Sequence, residues 1–169
     1  MGTAPVLVPV EEYLATNYDP DCDYVDGQVM ERNMGERDHS HFQISLGAFL
    51  HTRRKELGIV VLPEQRVQIT PTRYRIPDLC LIEASALAEQ IVRTPPILCI
   101  EILSPGDTID SIQKRLDDYF AIGVPCVWVV NPRSRHAWIY SADGIVHVQD
   151  GILRTPDNRS VVPMADLFE

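Results

Sequence analysis

The sequence predicts an α/β fold: a mixed central β-sheet flanked by helices, with an N-terminal hairpin and C-terminal antiparallel strands. Three observations carry this. The runs 97–103 and 126–130 (CVWVV) are apolar with little alternation, as strands buried on both faces are. Between them, 107–122 repeats apolar residues at helical spacing and stops at Gly123, which makes a helix-linked strand pair. Asp26-Gly27 and Asp143-Gly144 each divide two extended segments as hairpin turns do.

The elements follow in order. Residues 10–16 read as a short amphipathic helix, and 23–31 as the hairpin. A long helix spans 36–57, with Phe42, Leu46, Phe49, Leu50 and Leu57 on one face and Gly58 as its stop. Segments 59–62 and 66–70 are strand-like, Pro71-Thr72 is a turn, and 76–82 is an apolar strand. Residues 83–90 suggest a short helix before Thr94-Pro95-Pro96. Strand 97–103 holds a single charge, Glu101. In the helix 107–122, Ile109, Ile112, Leu116, Tyr119 and Phe120 share a face. After strand 126–130 come a turn at 131–134, an antiparallel pair at 137–140 and 146–148, and a short helix near 164–168.

The chain has 169 residues, 45% hydrophobic and 23% charged, which suits one domain (1–169) with a core of its own. This composition excludes a disordered tail, a collagen-like repeat and a small disulfide scaffold. No apolar run reaches the ~18 residues of a membrane span, and 1–10 lacks the basic and apolar regions of a secretory signal. No cysteine pair has C-x-x-C spacing. Cys80, Cys99 and Cys126 lie in apolar strands as small buried hydrophobes, so the expected location is the reducing cytoplasm.

The net charge of −9 gives no global attraction to nucleic acid. Any such contact must be local or assisted by a metal. The basic clusters are Arg53-Arg54-Lys55, then Arg66 with Arg73 and Arg75, then Arg133, Arg135 and His136, each also readable as solvated surface charge.

Two carboxylates carry the chemistry. Asp78 opens one apolar strand and Glu101 sits inside another, where a charge is costly unless paired or bound to a cation. By alternation Asp78 shares a face with Ile76 and Cys80, and Glu101 with Cys99 and Leu103. Adjacent strands would direct both into one cleft, a donor pair suited to Mg²⁺ or Mn²⁺. The alternative is structural: Asp78 caps a turn and Glu101 pairs with Arg66 or Arg75.

Three segments extend the argument: Ile76-Pro77-Asp78-Leu79; Pro95-Pro96-Ile97-Leu98-Cys99-Ile100-Glu101-Ile102-Leu103-Ser104-Pro105; and 119–132, with Tyr119, Gly123-Val124-Pro125 and Asn131-Pro132. In this order they resemble the Uma-type restriction endonuclease family of the PD-(D/E)XK nuclease superfamily. The hairpin 24–29, Asp38-His39-Ser40 and the ending 162–168 extend the likeness over nearly the whole chain.

The resemblance implies a restriction-endonuclease-like core and phosphodiester hydrolysis of DNA with Mg²⁺ or Mn²⁺. Asp78 matches the aspartate of PD and Glu101 the second acid, with the Ile102 carbonyl a further ligand. The superfamily lysine, two residues after the second acid, is replaced here by Leu103. The family places its basic residue on the following helix, where this chain has Lys114 and Arg115. At about 100° per residue, Lys114 falls opposite the buried face and Arg115 at its edge, so Arg115 is the better placed. Arginine stays protonated and suits phosphate contact rather than proton abstraction.

His39, in the first turn of the long helix, is a candidate for proton or phosphate contact, or a capping histidine. Glu64 is a candidate further metal ligand, and Glu36 is favoured as a surface charge. Many nucleases of this type are homodimers, and the apolar C-terminal strands offer a surface for one. Two rival readings stay open: a catalytically inactive homologue acting as a DNA- or protein-binding module, and an unrelated α/β protein with a structural Glu101.

Overall fold

The computed structural model describes residues 6–33, 35–86 and 88–168. Its central sheet has six strands: β3 (Ile59–Pro63), β6 (Leu79–Glu83), β7 (Leu98–Ile102), β8 (Cys126–Asn131), β9 (His136–Ser141) and β10 (Gly144–His147). Their spatial order is β10-β9-β8-β7-β6-β3. Only β7 and β8 are parallel, joined by the helix α4 (Ile109–Ala121); the other pairs are antiparallel. The mixed sheet therefore matches the expected class, and the parallel pair is the helix-linked one.

Strict alternation divides the core between the two faces of this sheet. Leu79, Leu81, Leu98, Ile100, Ile102, Trp128 and Val130 pack under Phe42, Leu46 and Leu50 of the helix α2 (Arg37–Thr52). Cys80, Cys99, Val127 and Val129 pack on the other face with Ile112, Leu116 and Tyr119 of α4. All four cysteines are free and buried. Burial pushes the Cys80 thiol up to about 12, which keeps it protonated and unreactive.

A second sheet, ordered β2-β1-β5-β4, is built from β1 (Cys22–Val25), β2 (Gln28–Glu31), β4 (Val67–Thr70) and β5 (Arg73–Arg75). The stacked rings of Tyr13 and Tyr24, with Tyr74 beside them, join it to the helix α1 (Val10–Ala15).

Several expectations are corrected. The strand foreseen at 76–82 begins only at Leu79, and Tyr74 and Arg75 belong to the other sheet. Pro77 has no N–H for a ladder, and the Ile76 N–H is taken by the Asp23 side chain at 3.0 Å. The chain crosses between sheets at Ile76-Pro77-Asp78, which sets Asp78 at their junction. The long helix breaks at Arg53, after which Arg54–Leu57 forms a separate turn, α3. The helix foreseen at 83–90 is absent among the described residues, Leu87 lying outside them. Glu83 instead ends β6, the Ala86 N–H closes a turn on its carbonyl at 3.0 Å, and so short a helix is marginal on its own. Ile109, foreseen on a buried face, is 92% exposed as the first residue of α4. Three short strands were not foreseen, β5, β11 (Ile152–Arg154) and β12 (Val161–Pro163), and the C-terminal helix is a 3₁₀ turn at Ala165–Leu167.

Candidate active site

Asp78 and Glu101 come together because β6 and β7 are neighbours. Leu79 faces Ile100 and Cys80 faces Cys99 in this antiparallel pair, so continuing the register sets Asp78 against Glu101. Both are 3% exposed. They line a cavity of about 20 Å³ with Arg32, His39 and Arg115. That is room for one water-sized occupant.

Each carboxylate is held by named donors. Asp78 Oδ1 accepts from Arg32 at 2.5 Å, with His39 Nε2 at 3.3 Å, and its Oδ2 accepts from the Ile102 N–H at 2.6 Å. Glu101 Oε1 accepts from the Tyr119 hydroxyl at 2.5 Å, and Oε2 from Arg115 at 3.2 Å. Arg115 also reaches Asp23 Oδ2 at 3.2 Å, and so bridges α4, β7 and β1. Asp23 is shared with Arg75, which bonds Asp118 in turn. The ion pair foreseen as the structural alternative, Glu101 with Arg66 or Arg75, is not formed. Arg66 instead donates to the Leu14 and Thr16 carbonyls.

The electrostatics of the two acids diverge. Burial pushes Asp78 up, but the His39 hydrogen bond and the charge of Arg32 outweigh it and hold the carboxyl below its usual range. Burial dominates at Glu101, only partly offset by Arg115, and carries its carboxyl up to about 7. Burial opposes a charge on His39, yet the Asp78 hydrogen bond raises the imidazole above its ordinary value. Arg115 stays charged because Glu101 and Asp23 outweigh its burial.

The other candidates separate. Lys114 is exposed and pairs with Asp110 at 2.7 Å, one turn back on the outer face, with no bond to either acid of the cluster. Glu64 is exposed on the rim of a wider polar cavity of about 300 Å³ that reaches Arg32, His39 and Asp78. Its backbone N–H bonds the Asp78 carbonyl at 3.2 Å, but its carboxylate has no bond to the cluster. Glu36 is an exposed helix cap. Leu103 is half-buried on the α4 side of the core.

Sequence reasoning missed Arg32, Asp23 and the Tyr119 hydroxyl. Tyr119 was legible in part, since it lies one turn beyond Arg115 on the same helical face. Arg32 had no local signal, because its partner is 46 residues away.

The donor set fits a small divalent cation. Among the described residues no three His, Cys, Asp or Glu side chains form a metal-holding group. Mg²⁺ is commonly held by one or two carboxylates with water completing the shell. A carboxylate offers about four acceptor sites. Asp78 uses three and Glu101 two, so both keep capacity towards the cavity.

The Uma2 family, described as "Putative restriction endonuclease", matches residues 10–166. The chain belongs to this family. Its fold is shared with a protein described as a putative nuclease belonging to DUF820 from Anabaena variabilis, with a TM-score of 0.82. The two are 19% identical, over 97% of this chain and 98% of that one. Comparison with curated proteins gave no match. Uma2 membership agrees with a nuclease reading in general terms. No helix among the described residues is long and apolar enough to cross a membrane.

Proposed function

We propose that this Uma2 protein is a divalent-metal-dependent endonuclease that hydrolyses phosphodiester bonds of DNA. The observation that carries the reading is the pair of buried carboxylates, Asp78 and Glu101, set side by side at one end of β6 and β7 around a water-sized cavity. These two, with the Ile102 carbonyl, are the groups that would hold Mg²⁺ or Mn²⁺. When bound, such an ion supplies an activated water and neutralises charge developing on phosphate.

The chain's own residues divide the remaining work. Arg115, charged and fixed between Glu101 and Asp23, offers guanidinium N–H groups for a phosphate oxygen, in the place of the cation that Leu103 cannot provide. Tyr119 orients Glu101 through its hydroxyl. His39, on Asp78 and beside the wider cavity, is positioned to hold a proton or to touch phosphate. Glu64 on the rim and the outward-facing Lys114 are left outside this assignment.

A second reading rests on the same contacts. Arg32 on Asp78 and Arg115 on Glu101 already serve as internal counter-ions, as a non-catalytic binding module of this fold would require. Nicking of supercoiled plasmid separates the two. Wild type with Mn²⁺ or Mg²⁺ is expected to nick, and Glu101→Gln to lose at least a hundredfold while its melt stays near wild type. No nicking by wild type, with duplex still bound, would favour the module.

A further inference from the structure

We infer that a third cavity, lined by Arg37, Arg133 and Arg135, binds a backbone phosphate of the nucleic acid at the same end of the central sheet as the carboxylate cluster. The cavity measures about 210 Å³ and lies between the first turn of α2 and the β8–β9 turn, with His41, Asp38 and Phe168 completing its wall. Three positive charges against one carboxylate gather here, on a chain of net charge −9.

Most arginines here are spent on ion pairs or backbone carbonyls, as Arg32, Arg66, Arg75, Arg115 and Arg159 are. Among the described residues, Arg37, Arg133 and Arg135 form no salt bridge, and their side chains donate no hydrogen bond to protein.

Their presentation is fixed. The Asn131 carboxamide oxygen accepts the N–H groups of Arg133 and Ser134 at 3.1 and 3.2 Å, which closes the turn. Arg135, in the left-handed region with φ of 58°, lies over the Phe168 ring at 5.2 Å. Phe168 in turn packs on Phe42 of α2.

Position links this cavity to the acids. His39 turns inward to Asp78, while Arg37 and His41, two residues either side and so about 200° around the helix, line the cation-rich cavity. Pro132 and Arg133 follow β8, whose Val129 and Val130 pair with Glu101 and Ile102. One end of the sheet thus carries both sites, the arginines on the side of α2 turned away from His39. Guanidinium forks suit phosphodiester oxygens, and contacts of this kind fix register without reading sequence.

The inference rests on the nuclease reading for its choice of DNA. Free phosphate shares the chemistry, so the test has two arms. Wild type, Arg37→Ala/Arg133→Ala and the charge-matched control Arg53→Ala/Lys55→Ala, at the C-cap of α2 and in α3, are titrated with a fluorescent duplex in EDTA across a salt series. The same proteins are melted with inorganic phosphate, which also reports folding. Loss of about tenfold affinity per arginine at 0.1 M salt, and a salt slope shallower by about one per arginine, are expected only for the cavity variant. Equal effects in both variants, no effect in either, or no duplex binding by wild type would overturn the inference. A phosphate-induced melt shift lost in the cavity variant, with duplex binding unchanged, would reassign the site to a free anion and also overturn it. Arginine-dependent binding without plasmid nicking would keep the cavity and remove the nuclease; nicking with arginine-independent binding would do the reverse.

Discussion

Glu101 is the residue on which structure and chemistry pull hardest against each other. It lies in a strand with no exposed residue, and its desolvation is offset in part by the charges of Arg115 and Arg32 and by the Tyr119 hydrogen bond. The carboxyl is raised from an ordinary 4.5 to about 7. The unfolded chain therefore loses this proton first. Between those values the folded state holds the extra proton, so Glu101's contribution is full below 4.5 and is lost as pH rises through about 7. Glu101→Gln cannot titrate, and its melting temperature relative to wild type is expected to climb from pH 5 to pH 8. A constant difference across that range would show that Glu101 is ionised throughout. Asp78 runs the other way: its lowered carboxyl contributes stability above the ordinary value of 3.8 that is lost as pH falls through its folded-state value. Two adjacent acids driven apart in this way are a frequent mark of a functional site.

At the scale of elements, α4 decides which cation the site receives. Its sequence alternates faces so that Arg115 and Tyr119 turn inward while Lys114 turns to solvent. Arg115→Ala leaves Glu101 buried with Tyr119 alone and is expected to cost about 3 kcal/mol or more in urea denaturation. Lys114→Ala removes only an exposed pair one helical turn long and is expected to change stability by less than about 0.5 kcal/mol. Comparable losses from both would contradict the facing. This division was legible in the sequence, because helical spacing around Ile112, Leu116 and Tyr119 sets the angle of every other residue in α4. The parallel pairing of β7 with β8 was legible for a similar reason, in two apolar runs joined by one helix. The break at Ile76-Pro77-Asp78 was not read, although Pro77 marked it: an apolar run looks continuous whether or not it changes sheet. Arg32 and Asp23 were out of reach, since their roles depend on where the second sheet packs and not on local pattern.

For the whole molecule, the acidic balance and the proposed substrate are reconciled by place. The central sheet is covered by α2 on one face and α4 on the other, and the smaller sheet brings Asp23 and Arg32 to its edge. The acids are screened by internal arginines, while Arg37, Arg133 and Arg135, which form no ion pair among the described residues, gather at the same end of the sheet. Binding then needs only a local field, although the rest of the surface repels. The metal site proposed here needs Asp78 and Glu101 together. Isothermal titration of Mn²⁺ into the wild type and into Glu101→Gln tests it without reliance on turnover. One Mn²⁺ per chain in wild type, tightening as pH rises through about 7 and lost in Glu101→Gln, is the expected result. No binding by wild type, or binding that Glu101→Gln leaves intact, would contradict it.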